Sequence, residues 1–152
     1  MTNHLSPANE LPQEVQYQRQ TPAEFKGTVQ GIKGPYVHAL MFNFRDGAPQ
    51  EAVDRAVRMV RALGELPGIL AWTIQESLDQ RKGRTVLELG IFKNGQAFLD
   101  FRDHPEHQAF TGYVRDYADW NIVDFEGSPE SPEAQALGTL GLLGAGQDNN
   151  EV

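Results

Sequence analysis

The pattern of hydrophobic and polar positions changes period several times between residues 36 and 126. The run YVHALMFNF at residues 36–44 is rich in branched and aromatic residues, which is typical of a strand, and three later runs have the same character. Between the first two strands, apolar residues recur every three or four positions, as in an amphipathic helix. Pro105 interrupts a second helical region. The pattern predicts strands at 36–44, 69–77, 85–93 and 120–126, and helices at 49–64, 96–102 and 105–118.

The order of these elements, βαββαβ, predicts an α+β domain with a ferredoxin-like protomer. In this arrangement four antiparallel strands form one sheet, and both helical regions cover the same face. The first and third strands are apolar on both sides, so the other face would leave a large apolar surface exposed. We therefore expect a homodimer in which two sheets face each other as a dimeric α/β barrel. The alternative is that a terminal arm covers this face within one chain.

One extension is predicted on each side of a domain at residues 36–126. Residues 1–35 hold four of the nine prolines and many polar side chains, which indicates a surface arm or a disordered lead. Residues 127–152 begin with another proline-rich and polar stretch. We expect one or both arms to lie across the partner subunit.

Composition narrows the classes of function. A chain of 152 residues with 39% hydrophobic and 22% charged residues is suited to one globular domain. Its net charge of -8 has the wrong sign for binding nucleic acid or an anionic membrane. The chain has no cysteine, which excludes thiolate nucleophiles and sulfur-ligated metals. No secretory leader or membrane-spanning run is recognisable, so we expect a cytoplasmic protein.

His107 is the first candidate for chemistry. It lies in the run DHPEH, where Pro105 predicts the start of a helix with either Asp103 or His104 as the cap. His107 shares a helical stripe with Phe110, so its ring should face the interior. The positive end of the helix disfavours an imidazolium and leaves a neutral imidazole, as a general base requires. The alternative is a packing and capping role.

Other residues are placed to complete a cavity beside His107. His38 is in register with the inward residues of the first strand, and Asp124 alternates with apolar residues on the last. Asp124 either orients His107 or bonds to backbone. We predict His107, Asp124 and His38 as catalytic residues, with no metal. Aromatic side chains either line the cavity or fill the core. The predicted substrate-binding residues are Phe42, Trp72, Phe101, His104, Phe110, Tyr113 and Trp120.

Several runs resemble the stress-responsive dimeric α/β barrel (Dabb) family over roughly residues 36–126. They are YVHALMFNFRDGAP, ELPGILAWTI, FLDFRDHPEHQAFTGYV and IVDFE. The resemblance implies a ferredoxin-like protomer and a barrel-forming homodimer. One branch of the family resembles a polyketide cyclase, in which the second histidine of the HPxH element is the base and a tyrosine six residues earlier assists it.

The resemblance assigns roles by position. His107 occupies the place of the base, whereas Phe101 stands where that branch has its tyrosine. His38 matches the histidine of the first strand, and Asp124 matches the aspartate of the last. A histidine that this branch carries on the third strand is replaced by Val86.

The sequence therefore predicts a cofactor-free lyase, cyclase or isomerase of the Dabb type. His107, held by Asp124, would take a proton from a carbonyl or phenolic, polyketide-like substrate. The partners expected are a second copy of the chain and a small apolar or aromatic ligand. The alternative is a non-catalytic, stress-responsive homodimer that binds a small hydrophobic molecule. A further alternative, by analogy of fold, is a cofactor-free monooxygenase.

Overall fold

Four strands and four α-helices make up residues 18–128, the part of the chain that this computed structural model describes. In chain order they are α1 (Pro22–Gln30), β1 (Tyr36–Phe44), α2 (Gln50–Ala62), β2 (Ile69–Glu76), β3 (Thr85–Phe92), α3 (Gly95–Asp103), α4 (Pro105–Val114) and β4 (Ala118–Glu126). The strands form one sheet in the order β2-β3-β1-β4, and every neighbouring pair is antiparallel. This is the predicted α+β arrangement with a ferredoxin-like topology.

The inner face of the sheet, which the helices cover, holds alternate residues of each strand. In β1 these begin with Tyr36, His38 and Leu40, which are all buried. The register places His38 between Gly90 of β3 and Asp124 of β4. The side chains of His38 and Asp124 therefore lie next to each other on the same side of the sheet.

Helix α2 follows the predicted apolar stripe. Ala52, Val53, Ala56, Val57 and Val60 are buried against the sheet, and the opposite side of the helix is charged. Pro49 precedes the helix as its cap residue, and a short 3-10 turn at Leu63–Glu65 follows it.

The second helical region is divided where Pro105 predicts, but it ends earlier than expected. His104 has extended backbone and caps α4, and its ring nitrogen accepts the N–H of Glu106 at 3.1 Å. The prediction that this helix continues to residue 118 is wrong, because it ends at Val114. Ala118 instead opens β4, paired with Phe44. Alanine prefers a helix by intrinsic propensity, so pairing with β1 overrides this preference at Ala118.

The N-terminal extension contains a helix where an arm or a disordered lead was expected. A capping box between Thr21 and Glu24 begins α1, and the helix packs on α3 of the same chain. The contact is close enough that a Cβ on Gly95 would overlap the carbonyl oxygen of Val29. Residues 22–30 thus cover their own protomer. The rest of the two predicted arms, residues 1–17 and 129–152, lies outside the described residues.

The outer face of the sheet carries exposed apolar side chains. Met41 is 43% exposed, Val123 63% and Phe125 38%, on two neighbouring strands. Leu87 of β3 lies opposite Met41 and is 41% exposed. Helix α1 packs on α3, on the inner side, so it leaves this face open. The expected uncovered apolar face is therefore present within residues 18–128.

Candidate functional site

A cavity of about 640 Å³ lies between the inner face of the sheet and helices α3 and α4. Its volume and its mostly apolar wall are typical of pockets for small molecules. The main apolar residues of the wall are Leu40, Phe42, Phe98, Phe110, Trp120 and Ile122. The polar ones are His38, Glu88, Arg102, His107, Gln108, Thr111 and Asp124.

The position of His107 follows from the break between α3 and α4. Pro105 has no N–H to donate, and the N–H of Glu106 bonds to His104, so the carbonyl of Arg102 lacks its helical partner. Nδ1 of His107 lies 2.9 Å from that carbonyl oxygen. Because a carbonyl oxygen only accepts, Nδ1 carries the hydrogen and Nε2 keeps a free lone pair.

The surroundings of His107 keep its imidazole neutral. Burial lowers the pKa of His107, and this outweighs the raising effect of the hydrogen bond to the Arg102 carbonyl. The ring of Phe101 packs against the imidazole with 4.8 Å between centroids. The side chain of Gln108 donates to the same Arg102 carbonyl at 2.8 Å. His107 is therefore a fixed, uncharged imidazole in the cavity wall.

A second histidine lies at the buried end of the cavity, within a hydrogen-bonded group. Nδ1 of His38 lies 2.6 Å from one carboxylate oxygen of Asp124. The hydroxyl of Tyr36 donates to the other oxygen of Asp124, also at 2.6 Å. The rings of Tyr36 and Phe98 stack with 4.5 Å between centroids, which fixes the tyrosine. Asp124 thus holds Nδ1 of His38 and leaves Nε2 as its free ring nitrogen.

Glu88 of β3 faces this free nitrogen. One of its oxygens, Oε1, lies 3.6 Å from Nε2 of His38, which is too long for a hydrogen bond. Glu88 is 2% exposed, and burial raises its pKa to about 7 although nearby His38 acts in the opposite direction. For His38, burial alone lowers the pKa, but the hydrogen bond to Asp124 and the charge of Glu88 outweigh it, and the pKa is raised. The buried end therefore favours a protonated histidine.

Residues 18–128 contain neither a helix that could span a membrane nor a cluster of metal ligands. No helix in this part of the chain has both the length and the apolar character needed to cross a bilayer. No group of three or more metal-ligating side chains in the same part is arranged to hold a metal ion.

Comparison with known families assigns the domain. The model of the stress responsive A/B barrel domain, Dabb, matches residues 37–127, which is more than half of the chain. The chain belongs to the Dabb family. No curated protein matches the sequence.

Solved structures similar to this Dabb domain have the same fold. A dimeric ferredoxin-like protein of unknown function from Thermobifida fusca shares 18% identity at a TM-score of 0.56, over 64% of this chain and 93% of its own. A hydroxynitrile lyase from Passiflora edulis shares 16% at 0.56, over 66% and 99%. A Dabb protein with a ferredoxin-like fold from Mesorhizobium loti shares 19% at 0.50, over 62% and 98%. The predicted ferredoxin-like fold and the family resemblance are confirmed.

The three residues predicted as catalytic all line the cavity of the Dabb domain, and their catalytic roles remain predictions. His107, His38 and Asp124 lie on α4, β1 and β4. The expectation that Asp124 holds His107 is wrong. Asp124 bonds to His38 and Tyr36, because the register of β1 and β4 places Asp124 directly opposite His38. His107 is held by backbone instead.

The predicted substrate-binding residues divide between the cavity and the core. Phe42, Phe110 and Trp120 line the cavity. The four that do not line it are Phe101, Trp72, Tyr113 and His104. Phe101 is buried in an aromatic cluster behind His107, and His104 caps α4.

Trp72 and Tyr113 have other packing partners. The indole N–H of Trp72 donates to the carbonyl of Val60 at 3.1 Å, which ties β2 to α2. The ring of Tyr113 lies under the guanidinium of Arg55, 4.5 Å from its centroid. Both aromatic side chains thus join α2 to a neighbouring element and do not line the cavity.

Several residues of the site were missed in the sequence, among them Glu88, Tyr36 and Phe25. Glu88 has a recognisable signal, because it is in phase with Val86 and Phe92 on the inner face of β3. Burying a carboxylate there is unfavourable unless it has a partner, so its presence suggests a function. Tyr36 has the same phase as His38. Phe25 of α1 also lines the cavity, but nothing in the sequence indicates where α1 packs.

Proposed function

We propose that this Dabb domain is an enzyme in which His107 acts as general base on a small carbonyl or phenolic compound bound in the cavity. The reaction class is that of a lyase, cyclase or isomerase, in which a C–H or O–H proton is removed and returned. Removing that proton requires only the imidazole, so no cofactor is assigned.

The observation that carries this proposal is the hydrogen bond from Nδ1 of His107 to the carbonyl of Arg102. It fixes the neutral tautomer whose Nε2 accepts a proton, and burial lowers the pKa of His107, so that this form predominates at neutral pH. A base of this kind typically contributes about 10² to 10⁴ in rate.

The rest of the cavity supports a bound aromatic or apolar substrate. Phe42, Phe110 and Trp120 contribute flat apolar surfaces, and the rings of Phe42 and Phe110 meet edge to face with 5.4 Å between centroids. His38, positioned by Asp124, presents Nε2 at the buried end as a donor toward a substrate oxygen. A similar fold in a hydroxynitrile lyase is consistent with proton-transfer chemistry on such a scaffold.

The test is proton exchange in a simple probe. The domain is incubated in deuterated water with 4′-hydroxyacetophenone, and loss of the methyl proton signal is followed by NMR. We expect exchange with the wild-type protein, and a rate about 10² to 10⁴ lower in His107→Asn, because the base is removed while the side chain keeps its polarity.

The matched control is His104→Asn. It changes the other histidine of the same HPEH element, which caps α4 outside the cavity, and asparagine is itself a good cap. This variant should exchange the probe as fast as the wild type. Equal rates in His107→Asn and His104→Asn would contradict the role of His107.

The second candidate function is a non-catalytic Dabb protein that binds a small hydrophobic molecule. Phe101 favours it, because its ring packs on His107 where the cyclase-like branch would place a hydroxyl donor. In that case the probe binds without exchange, and His107→Asn changes stability alone. If the wild-type protein binds the probe but does not exchange its methyl protons faster than the solvent alone, the non-catalytic binding function is supported.

We also propose that the chain forms a homodimer through the outer face of its sheet. Similar structures from Thermobifida fusca and Bacteroides fragilis are described as dimeric. Val123, which is 63% exposed on this face, is apolar surface that a second copy would cover.

The dimer is tested by mass measurement in dilute solution. Val123→Glu should give monomers, because it places a charge in the apolar contact. Ala109→Glu, on the exposed side of α4, should leave the dimer intact. A wild-type monomer, or an unchanged dimer in Val123→Glu, would contradict this interface.

A further inference from the structure

Glu88 is a buried carboxylate, and one of its two oxygens makes no hydrogen bond within residues 18–128. This oxygen, Oε1, is shielded from solvent. Glu88 nevertheless lines the cavity, between Leu40 on β1 and Ile74 on β2, which are both apolar. A buried polar atom without a partner is unfavourable, and each such atom in a native protein needs an explanation, such as a catalytic role or a bound water, ion or ligand.

The free ring nitrogen of His38 lies close to Oε1 of Glu88. The 3.6 Å between Oε1 and Nε2 is too long for a direct hydrogen bond. One oxygen atom placed beside both would lie within about 2.8 Å of each, which is an ordinary hydrogen-bond distance. The opposite ring nitrogen is held by Asp124 at 2.6 Å, so the His38 ring is fixed in this direction.

The two atoms differ in what they offer. Nε2 of His38 is a donor when the ring is protonated, as the carboxylates of Asp124 and Glu88 favour. Oε1 of Glu88 accepts when the carboxyl is ionised. A hydroxyl group satisfies both, because it accepts from Nε2–H and donates to Oε1. An ether or a halogen has no hydrogen to give to the carboxylate.

The other walls near this end are apolar. Phe98 packs on the ring of His38 with 4.9 Å between centroids, and Leu40 lies opposite Glu88. The more exposed polar residues of the cavity, Arg102 and Gln108, lie beside His107 on the helices. A ligand would therefore meet polar groups at the buried end of the cavity, from His38 and Glu88, and an apolar surface the size of a ring in the rest of it.

We propose that Nε2 of His38 and Oε1 of Glu88 together bind one hydroxyl group of the ligand, which makes the ligand class hydroxylated aromatic compounds with the hydroxyl at the buried end. This rests on the proposed function only in taking the cavity as the ligand site. Glu88 is then a specificity-determining residue, separate from the base His107.

The experiment compares two probes of similar size, 2-naphthol and 2-fluoronaphthalene, by titration against the full chain. The ratio of their Kd values measures the preference for a hydroxyl. Glu88→Met keeps the length of the side chain and removes both oxygens, and Glu88→Leu repeats the test if methionine packs poorly. Replacing a buried carboxylate, one oxygen of which has no partner within residues 18–128, by an apolar side chain should preserve the fold. The control is Glu65→Met, at an exposed glutamate outside the cavity.

We expect the preference for 2-naphthol to fall about tenfold in both Glu88 variants, with 2-fluoronaphthalene binding unchanged, and to stay at the wild-type value in Glu65→Met. An unchanged preference in the Glu88 variants overturns the inference and leaves the role of His107 standing. Failure of the wild type to bind either probe overturns both the inference and the assignment of the cavity. Loss of preference together with unimpaired deuterium exchange in His107→Asn supports the inference and refutes the proposed base.

Discussion

The cavity has a histidine at each end, and the surroundings shift the pKa values of the two in opposite directions. His38 is 4% exposed and lies between the carboxylates of Asp124 and Glu88, which raise its pKa against the effect of burial. His107 is half-buried and bonded to a backbone carbonyl, and burial lowers its pKa. The same side chain is thus prepared as a donor at one end and as a base at the other.

The two ends also differ in how the chain builds them. Nδ1 of His107 bonds to a carbonyl five residues away, and the break at Pro105 frees that carbonyl. His38 and Asp124 are 86 residues apart and meet only when β4 pairs with β1. The His107 end is therefore local structure, whereas the His38 end depends on the complete sheet.

The largest expected effect is on stability, at the His38 end. Asp124→Ala removes the acceptor of both His38 and the Tyr36 hydroxyl and leaves two buried polar groups unpaired. We expect the free energy of unfolding to fall by about 2 to 4 kcal/mol, measured by urea denaturation at one fixed protein concentration.

Two variants show whether this effect belongs to the buried end. His107→Asn removes one hydrogen bond in a half-buried place and should lower the free energy of unfolding by about 1 kcal/mol. Asp119→Ala breaks an exposed ion pair with Arg45 and should have less effect still. If Asp124→Ala and His107→Asn are equally destabilising, the contrast between the two ends does not hold.

A smaller effect is expected in the pH dependence of stability. Glu88 has a pKa of about 7 in the folded protein against an ordinary value of 4.5. Between these two pH values Glu88 holds a proton in the folded state that it has lost in the unfolded state. The contribution of this proton to the free energy of unfolding is therefore complete below a pH of about 4.5, and it disappears as the pH rises through about 7. His38 of β1 and Asp124 of β4 face Glu88, and Arg102 and His107 of the helices line the same cavity.

The measurement compares the wild type with Glu88→Gln, which cannot ionise. From about pH 5 to about pH 8, the free energy of unfolding of the wild type should fall by roughly 1 to 3 kcal/mol relative to the variant. Both proteins keep His38 and Asp124, so the difference reports the titration of Glu88 together with its charge coupling to His38. A difference that is constant with pH would show that Glu88 is ionised in the folded protein across this range.

Much of the fold follows from the sequence because its signals are local. Tyr36–Phe44 has the predicted bounds, since β-forming residues run from a Gly-Pro pair to an Asp-Gly pair. The stripe of α2 is buried as the period predicts. The end of α4 and the start of β4 were misplaced because residues 115–118 have no helix breaker, and strand pairing overrides helix propensity there.

The site was predictable to the extent that it depends on neighbours in sequence. Pro105 fixes the turn on which His107 lies, so its direction could be predicted. The partner of Asp124 could not, because it depends on a strand register that no local pattern gives. Helix α1 buries only Val29, so it has too weak an apolar face to predict its packing against α3, or the place of Phe25 in the cavity wall.

The last comparison between the two ends is the titration of their histidines, His38 and His107, where the smallest effects are expected. Followed by NMR of the imidazole rings, His107 should titrate below the ordinary value of 6.5 and His38 above it, as their pKa shifts require. At neutral pH the nitrogen shifts of His107 should report a hydrogen on Nδ1 and none on Nε2, since Nδ1 donates to the carbonyl of Arg102. His107→Asn and His104→Asn assign the signals. If His38 and His107 titrate together, the two ends share one electrostatic environment, and a fixed acid opposite a fixed base is no longer a description of this cavity.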